Sequence, residues 1–356
     1  MSGGVDSSVA ARLLLDRGYR VIGLTMQVWD GSLALPDNGR SGCYGPGEAR
    51  DIDLARRMAA HLGIPHHTVP LTDEYKTNVL DYFRREYLAG RTPNPCVMCN
   101  RRVKFGAFLD KAHAMGLDFD RFATGHYARV DRDAASGRHV LRRGVDAGKD
   151  QSYFLSHLTQ DQLGLLVLPL GELRKDDVRR LARESGLGEA ADQAESQDFI
   201  ESDQYDAVFK GTPVAPGPIE DAAGRVLGQH RGIVYYTIGQ RKGLGLSGTG
   251  EPLYVTAIDA CRNAVIVGGW NELFSAGLAV KDVNWIALAG LPGGPARASV
   301  RIRQQHRGAA ATLAARADGG VDVRFDEPQM SVTPGQIAAF YEDDRVLGAG
   351  TIAGPL

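Results

Sequence analysis

The chain of 356 residues predicts an α/β fold: a doubly wound parallel sheet, then a small central domain and a C-terminal β-barrel. Three observations carry this. Ser2, Gly3, Gly4, Val5, Asp6, Ser7 and Ser8 read as a glycine turn opening a helix, because Val9, Ala10, Leu13 and Leu14 continue at helical spacing. A β-branched, mostly apolar stretch follows at 19–27, and helix then strand behind a glycine loop begins a doubly wound sheet. Beyond about residue 200, glycines and short β-type runs replace long amphipathic patterns, and from about 278 they recur at the regular spacing of a small barrel. The expected division is 1–198, 199–275 and 276–356.

The opening loop presents unpaired backbone N–H groups at the positive end of a helix dipole, so a phosphate is its natural ligand. The kinase-type loop, with Gly, Lys and Ser or Thr four residues after the first Gly, is absent. Without a lysine to grip a terminal phosphate, the loop suits pyrophosphate leaving from ATP better than γ-phosphoryl transfer. A Ser-Gly-Gly turn alone is also an ordinary helix start; the whole string SGGVDSS is much more specific. The strand at 19–27 places Met26 at the carboxyl end, where it either fills the core or lines an adenine pocket.

Composition is that of a globular protein, 43% hydrophobic and 24% charged. No apolar run approaches membrane-spanning length and no signal peptide precedes the loop, so a cytoplasmic protein with no membrane partner is expected. A formal charge of −2 gives no global case for nucleic acid, and any RNA contact must come from local basic patches. Four cysteines (Cys43, Cys96, Cys99 and Cys261) are too few for a disulfide scaffold and read as metal-binding, redox-active or inert.

Residues 31–47, rich in Gly, Ser, Pro and Asn, form a loop holding Cys43. Helices at 48–62 and 72–89 flank a short strand at 66–69, and His66 and His67, with no ligand-spaced partner, read as structural. In Gly90 to Asn100 (GRTPNPCVMCN), two prolines forbid helix before Cys96, so Cys96 and Cys99 stand where a loop enters a helix at 101–115. A helix N-terminus followed by Arg101, Arg102 and Lys104 lowers a thiol pKa, which suits a nucleophile or a metal ligand. One Cys-x-x-Cys pair does not complete a zinc site, and Cys43 is the candidate third ligand. A strand at 121–127 ends at a Gly turn with His126 towards the ligand cleft, and a basic hairpin follows near 138–144. The polar loop from Lys149 to Phe154 either touches a polyanion or is a plain turn. A helix at 175–186 and the segment 189–198 close the first domain. Later come strands at 232–237 and 253–258, a basic glycine loop at 239–245, and a basic edge of Arg301, Arg303, His306 and Arg307; Cys261 reads as structural.

The strings SGGVDSS, GRTPNPCVMCN, ATGHYAR, GKDQSYFL, YTIGQRKGLG and TPGQ, in that order, are similar to those of the tRNA-specific 2-thiouridylases over essentially the whole chain. Those proteins place a hydrophobic strand before the loop, so an adenine nucleotide α hydrolase-like sheet with its first strand missing, and reduced stability, is expected here. The resemblance implies that ATP, with Mg2+, adenylates the 2-carbonyl oxygen of the wobble uridine in Lys-, Glu- and Gln-type tRNAs, and that a sulfur nucleophile then displaces AMP. It implies Gly3, Gly4, Asp6, Ser7 and Ser8 on the phosphates, Met26 and Gly125 near the nucleotide, and Cys99 as nucleophile with Cys96 beside it. Asn94, Pro95, His126, Lys149, Asp150, Gln151, Arg301, Ile302 and Gln336 would contact tRNA, whose anticodon loop releases a base cheaply.

Two departures alter the expected sulfur route. Many such proteins have Asp where this chain has Cys96, and a second catalytic cysteine where this chain has Ile200 in Ser196-Gln197-Asp198-Phe199-Ile200. The expectation is therefore a 4Fe–4S cluster on Cys43, Cys96 and Cys99 with one iron open to sulfide; the alternatives are a Cys96–Cys99 persulfide and disulfide pair, or structural zinc. The sulfur donor is a protein or free sulfide. Rival readings are an ATP-dependent ligase sharing the loop, which forms a product without sulfur, and a tRNA-binding protein with a decayed activation site.

Overall fold

The computed structural model describes residues 1–37, 42–191, 198–202, 205–246, 251–291 and 293–356. The chain divides into two compact units: Met1–Leu80 with Pro95–Ala207 and Asp344–Val346, and Asp81–Asn94 with Val208–Asp343 and Leu347–Leu356.

In the first unit, helix α1 (Val5–Asp16) follows the glycine loop at once, and its apolar face of Val5, Val9 and Ala10 is buried. That face packs on Leu54 and Met58 of helix α2 (Glu48–His61) and on Val178 and Ala182 of the helix Lys175–Glu184. Each such side chain contributes roughly 1.5–3 kcal/mol when fully buried, so this cluster fixes where the loop points. Strands β1 (Gly23–Gln27) and β2 (His66–Pro70) pair in parallel, with Met26 opposite Val69. Strands β3 (Phe122–Ala123) and β6 (Leu166–Val167) form a second parallel ladder, and β4 (Ala128–Arg132) and β5 (His139–Arg143) an antiparallel hairpin. This is the α/β region the loop and the helix-strand alternation predict.

Several boundaries differ from expectation for local reasons. The stretch 19–27 is strand only from Gly23, because Tyr19 and Arg20 face solvent. The helix expected at 72–89 is Thr72–Tyr75, a π-helical turn Lys76–Leu80 and Asp81–Leu88. Pro95 does not forbid helix: Pro95–Met98 is helical and runs directly into a π-helix, Cys99–Ala107. A proline at the first helical position loses only an N–H that has no intrahelical partner there anyway. Ser196 and Gln197 lie outside the described residues.

In the second unit, β7 (Gly217–Asp221), β8 (Val226–His230), β9 (Tyr254–Asp259) and β10 (Ala264–Gly268) form a sheet of order β8-β7-β10-β9. The strand expected at 232–237 is instead a 3₁₀ turn, Ile233–Tyr235, entered through Gly232 at φ 140°. Strands β11 (Phe274–Trp285), β12 (Ala296–Arg301), β13 (Ala309–Ala315), β14 (Val321–Met330), β15 (Ile337–Glu342) and β16 (Arg345–Pro355) run in the order β11-β14-β13-β12-β15-β16. Pairing of β16 with β11 closes the barrel around Leu278, Val300, Leu313, Val323 and Ile352. Among the described residues, no helix is long and apolar enough to cross a membrane.

Candidate active site

The glycine loop before α1 meets a backbone demand at Gly3 that favours glycine. Gly3 sits at φ 76°, and a Cβ there would stand 3.0 Å from the Asp51 carbonyl oxygen. Gly4, the N-cap of α1, offers no side chain to the first-turn amides. The hydroxyls of Ser7 and Ser8 donate back to the Gly4 carbonyl at 3.0 and 3.1 Å. They brace the turn rather than extend from it, and no side chain caps the first-turn amides.

Asp6 is the most constrained residue of the loop. Lys175 Nζ donates to both its carboxylate oxygens at 2.8 Å, and the Tyr127 hydroxyl donates to one of them at 2.7 Å. A Cβ on Gly125 would stand 2.8 Å from the Asp6 carbonyl carbon, so the Gly125 turn lies directly against this residue. The structure thus joins the predicted Gly125 to the loop and adds Lys175 and Tyr127, which sequence reasoning missed. The Lys175 side chain is only 6% exposed. One signal was available: Lys175 is the first residue of its helix, where the dipole disfavours a cation. Met26 is half-buried in β1.

The thiols sit one helical turn apart, Cys96 half-buried on the Pro95–Met98 turn and Cys99 buried at the head of the π-helix. Burial pushes the Cys99 thiol up to about 12, against the opposing pull of Lys104 and with Cys43 adding to the rise. Burial likewise raises Cys96 well above the ordinary thiol range, with Cys43, Cys99 and Asp198 adding to it. The expected lowering by a helix start and three cations is therefore reversed, because desolvation outweighs charge. The same couplings place Cys43 in the electrostatic neighbourhood of the pair. Among the described residues no group of three His, Cys, Asp or Glu side chains stands ready to hold a metal ion.

The candidate tRNA residues divide between the units. In the first, His126 accepts or donates at 2.8 Å with the Thr124 hydroxyl and is kept neutral, its pKa lowered to about 3 by burial and then by Lys104. Asp150 accepts from the Gly144 and Ser152 amides, and Gln151 accepts from the Tyr127 amide at 3.0 Å, so both hold their own loop together. Arg142 of the basic hairpin is committed to Asp131 and Asp344, each at 2.7 Å. In the second unit, Gln336 donates to the Thr92 and Pro93 carbonyls at 3.0 and 3.1 Å, bracing the segment that ends at Asn94. Arg301 lies over the Tyr341 ring, whereas Ile302 is buried and offers no side chain to a ligand. Lys149 is half-exposed, and Cys261 is exposed in the turn after β9, not in a core.

A glycine loop opening a helix, backed by a lysine-clamped carboxylate and accompanied by a helical thiol pair, defines an α/β domain followed in the chain by a four-stranded sheet and a closed β-barrel. Family profiles agree: one described as tRNA methyl transferase HUP domain matches residues 1–201, one described as tRNA methyl transferase PRC-barrel domain matches 206–269, and one described as aminomethyltransferase beta-barrel domain matches 275–352. The chain is 48% identical to the tRNA-specific 2-thiouridylase MnmA of Moorella thermoacetica, over 99% of this chain and 98% of that one. It is 46% identical to the protein of the same name from Carboxydothermus hydrogenoformans, over 99% and 96%. The chain belongs to the tRNA-specific 2-thiouridylase family, a family of sulfurtransferases.

Proposed function

We propose that this protein carries out ATP-dependent 2-thiolation of the wobble uridine of tRNA in the cytoplasm. The observation that carries the reading is the presence, in one compact unit, of a phosphate loop with uncapped amides and of a paired thiol site. A carbonyl oxygen is a poor leaving group until it carries AMP. ATP, entering with Mg2+, is held by the amides of residues 3–7, ahead of the first intrahelical bond from the Ser8 amide to the Gly4 carbonyl, and the uridine O2 attacks its α-phosphate with pyrophosphate leaving. Lys175 compensates Asp6, so that the only carboxylate in the first turn of α1 does not repel the departing pyrophosphate.

In this reading sulfur travels on thiols, Cys43 being exposed and Cys96 and Cys99 lying one helical turn apart. Cys43, the exposed one, takes sulfane sulfur from a donor persulfide, releasing the donor thiolate. Cys96 takes that sulfur in turn and becomes a persulfide, its thiol proton passing to the Cys43 thiolate that is released. Its terminal sulfur attacks C2 and AMP leaves. Cys99 attacks the Cys96 sulfur, freeing 2-thiouridine and leaving a Cys96–Cys99 disulfide, which an external thiol reduces.

Two measurements test this. Cys99→Ala is expected to abolish thiolation while tRNA-dependent pyrophosphate release persists, because the half-reactions use different groups; loss of both would make Cys99 a structural residue. Anaerobically purified protein is expected to be active and free of iron. About four irons per chain, lost in Cys43→Ala, would overturn the thiol route in favour of a 4Fe–4S cluster on Cys43, Cys96 and Cys99.

A further inference from the structure

The segment just beyond the expected end of the first domain is wrapped around the Cys43 loop. The Cys43 amide donates to the Asp198 carbonyl at 3.1 Å, and the Glu201 amide donates to the Tyr44 carbonyl at 3.0 Å. Tyr75 donates its hydroxyl to the Phe199 carbonyl at 2.6 Å and stacks on Tyr44, ring centroids 5.6 Å apart. Glu201 itself is 2% exposed. One of its carboxylate oxygens accepts from the Gly47 amide at 2.9 Å; the other has no partner among the described residues.

Three glycines make room for this arrangement. A Cβ on Gly45 would fall 2.5 Å from the Glu201 carboxylate, one on Gly47 2.6 Å from it, and one on Gly42 2.7 Å from the Ile200 carbonyl carbon. A buried carboxylate with one oxygen unsatisfied is a costly way to plug a loop, and an apolar side chain would serve stability better. What the carboxylate does supply is a directional, charge-assisted bond to the N-cap of α2, at the far end of the Cys43 loop from the backbone pairing with Asp198.

We propose that Glu201 is a positioning residue: by gripping Gly47 inside the glycine cradle it holds the loop 42–47 so that Cys43 is presented to Cys96 and Cys99. The inference rests on the sulfur-transfer reading only in what Cys43 is for; the grip of Glu201 on its loop is the same whatever Cys43 does. Glu48, whose carboxylate accepts from the Val28 and Trp29 amides at 2.6 and 3.0 Å, fixes the start of α2 against the end of β1, so the loop is anchored on a rigid element.

The test measures proximity, in the full chain with Cys261→Ser to remove the remaining thiol. A short bis-maleimide is expected to join Cys43 to Cys96 in the parent, mapped by peptide mass spectrometry. Glu201→Ala should lower the cross-linking yield by about tenfold, the scale on which losing a charge-assisted bond shifts a docked population. Glu201→Gln, which keeps an acceptor of the same length, should restore it. Gly45→Ala perturbs the same grip from the opposite side without touching the carboxylate and should mimic Glu201→Ala. Thiolation by Glu201→Ala should fall to the level of Cys43→Ala, with the double variant no worse than either, while pyrophosphate release is unchanged as a check on folding. Parent-level cross-linking in Glu201→Ala, or no Cys43–Cys96 product in the parent, would overturn the proposal. A protein that cross-links as expected but makes no thiouridine would instead sink the functional reading and leave the positioning role intact.

Discussion

Replacing Lys175 by Met strips Asp6 of its counter-charge while keeping most of the side chain's bulk. The lysine is 6% exposed and its ammonium bonds both oxygens of Asp6, whose own side chain is 30% exposed. Removing one partner of a fully buried pair costs about 3–5 kcal/mol. Asp6 keeps the Tyr127 hydroxyl and some access to water, so the expected loss is about 2–3 kcal/mol, or roughly 5–10 °C in melting temperature for a unit of this size. Most of that cost is the orphaned carboxylate. Asp6→Asn in the Lys175→Met background should therefore recover stability, leaving the double variant less destabilised than the sum of the singles by about 1–2 kcal/mol. Denaturant melts of the four proteins, with pyrophosphate release alongside, measure this. Strict additivity would refute the reasoning, because it would mean that the two residues contribute independently and that the clamp under the loop is incidental.

Gly125→Ala sets a Cβ 2.8 Å from the Asp6 carbonyl carbon, a backbone atom that cannot step aside; the expected loss is about 1–3 kcal/mol and a greater loss of pyrophosphate release than of tRNA binding, read by a thermal melt and a filter-binding assay. His157 is 3% exposed with neither ring nitrogen partnered among the described residues, so His157→Leu should raise stability by about 1–2 kcal/mol in a denaturant melt. Burial holds the His157 pKa down to about 3, with Arg101 adding to the effect. The unfolded chain, near 6.5, therefore binds the proton first. Stability from this group is complete above pH 6.5 and is lost as pH falls from 6.5 towards 3, and the leucine variant should have a shallower acid limb over that window.

What could be read in the sequence was what lies in contiguous strings. The glycine loop, the helix behind it and the Cys-x-x-Cys turn each carry their signal within a dozen residues. The clamp does not: Lys175 and Asp6 are 169 residues apart, and Tyr127 and Asp6 121, so only the packing of α1 on α2 and the 175–184 helix brings them together. The thiol acidity failed for a different reason. Arg101, Arg102 and Lys104 are visible in the string, whereas the desolvation that overrides them belongs to the folded pocket. Gln336 and Asp150 show a third kind of limit, since a polar side chain looks the same in sequence whether it faces a ligand or is spent on the Thr92 and Gly144 backbone. Pro95 shows a fourth, since a proline's effect depends on whether it enters a helix or interrupts one.

The barrel of the second unit has a consequence in time. Strand β16 supplies the partner of both β15 and β11, so until it has been synthesised the other five strands form an open, curled sheet with two unpaired edges. The ring is joined between Leu278 and Pro355, residues far apart in the chain, and such long-range closure is slow. During translation the helices and parallel ladders of the first unit can form while the barrel waits, exposed, for its last strand; the β5 hairpin waits with it, because Arg142 takes its partner Asp344 from the residues just before that strand. Mutations that weaken the β11–β16 seam should show first as aggregation of newly made chains, before any defect appears in molecules that have already closed.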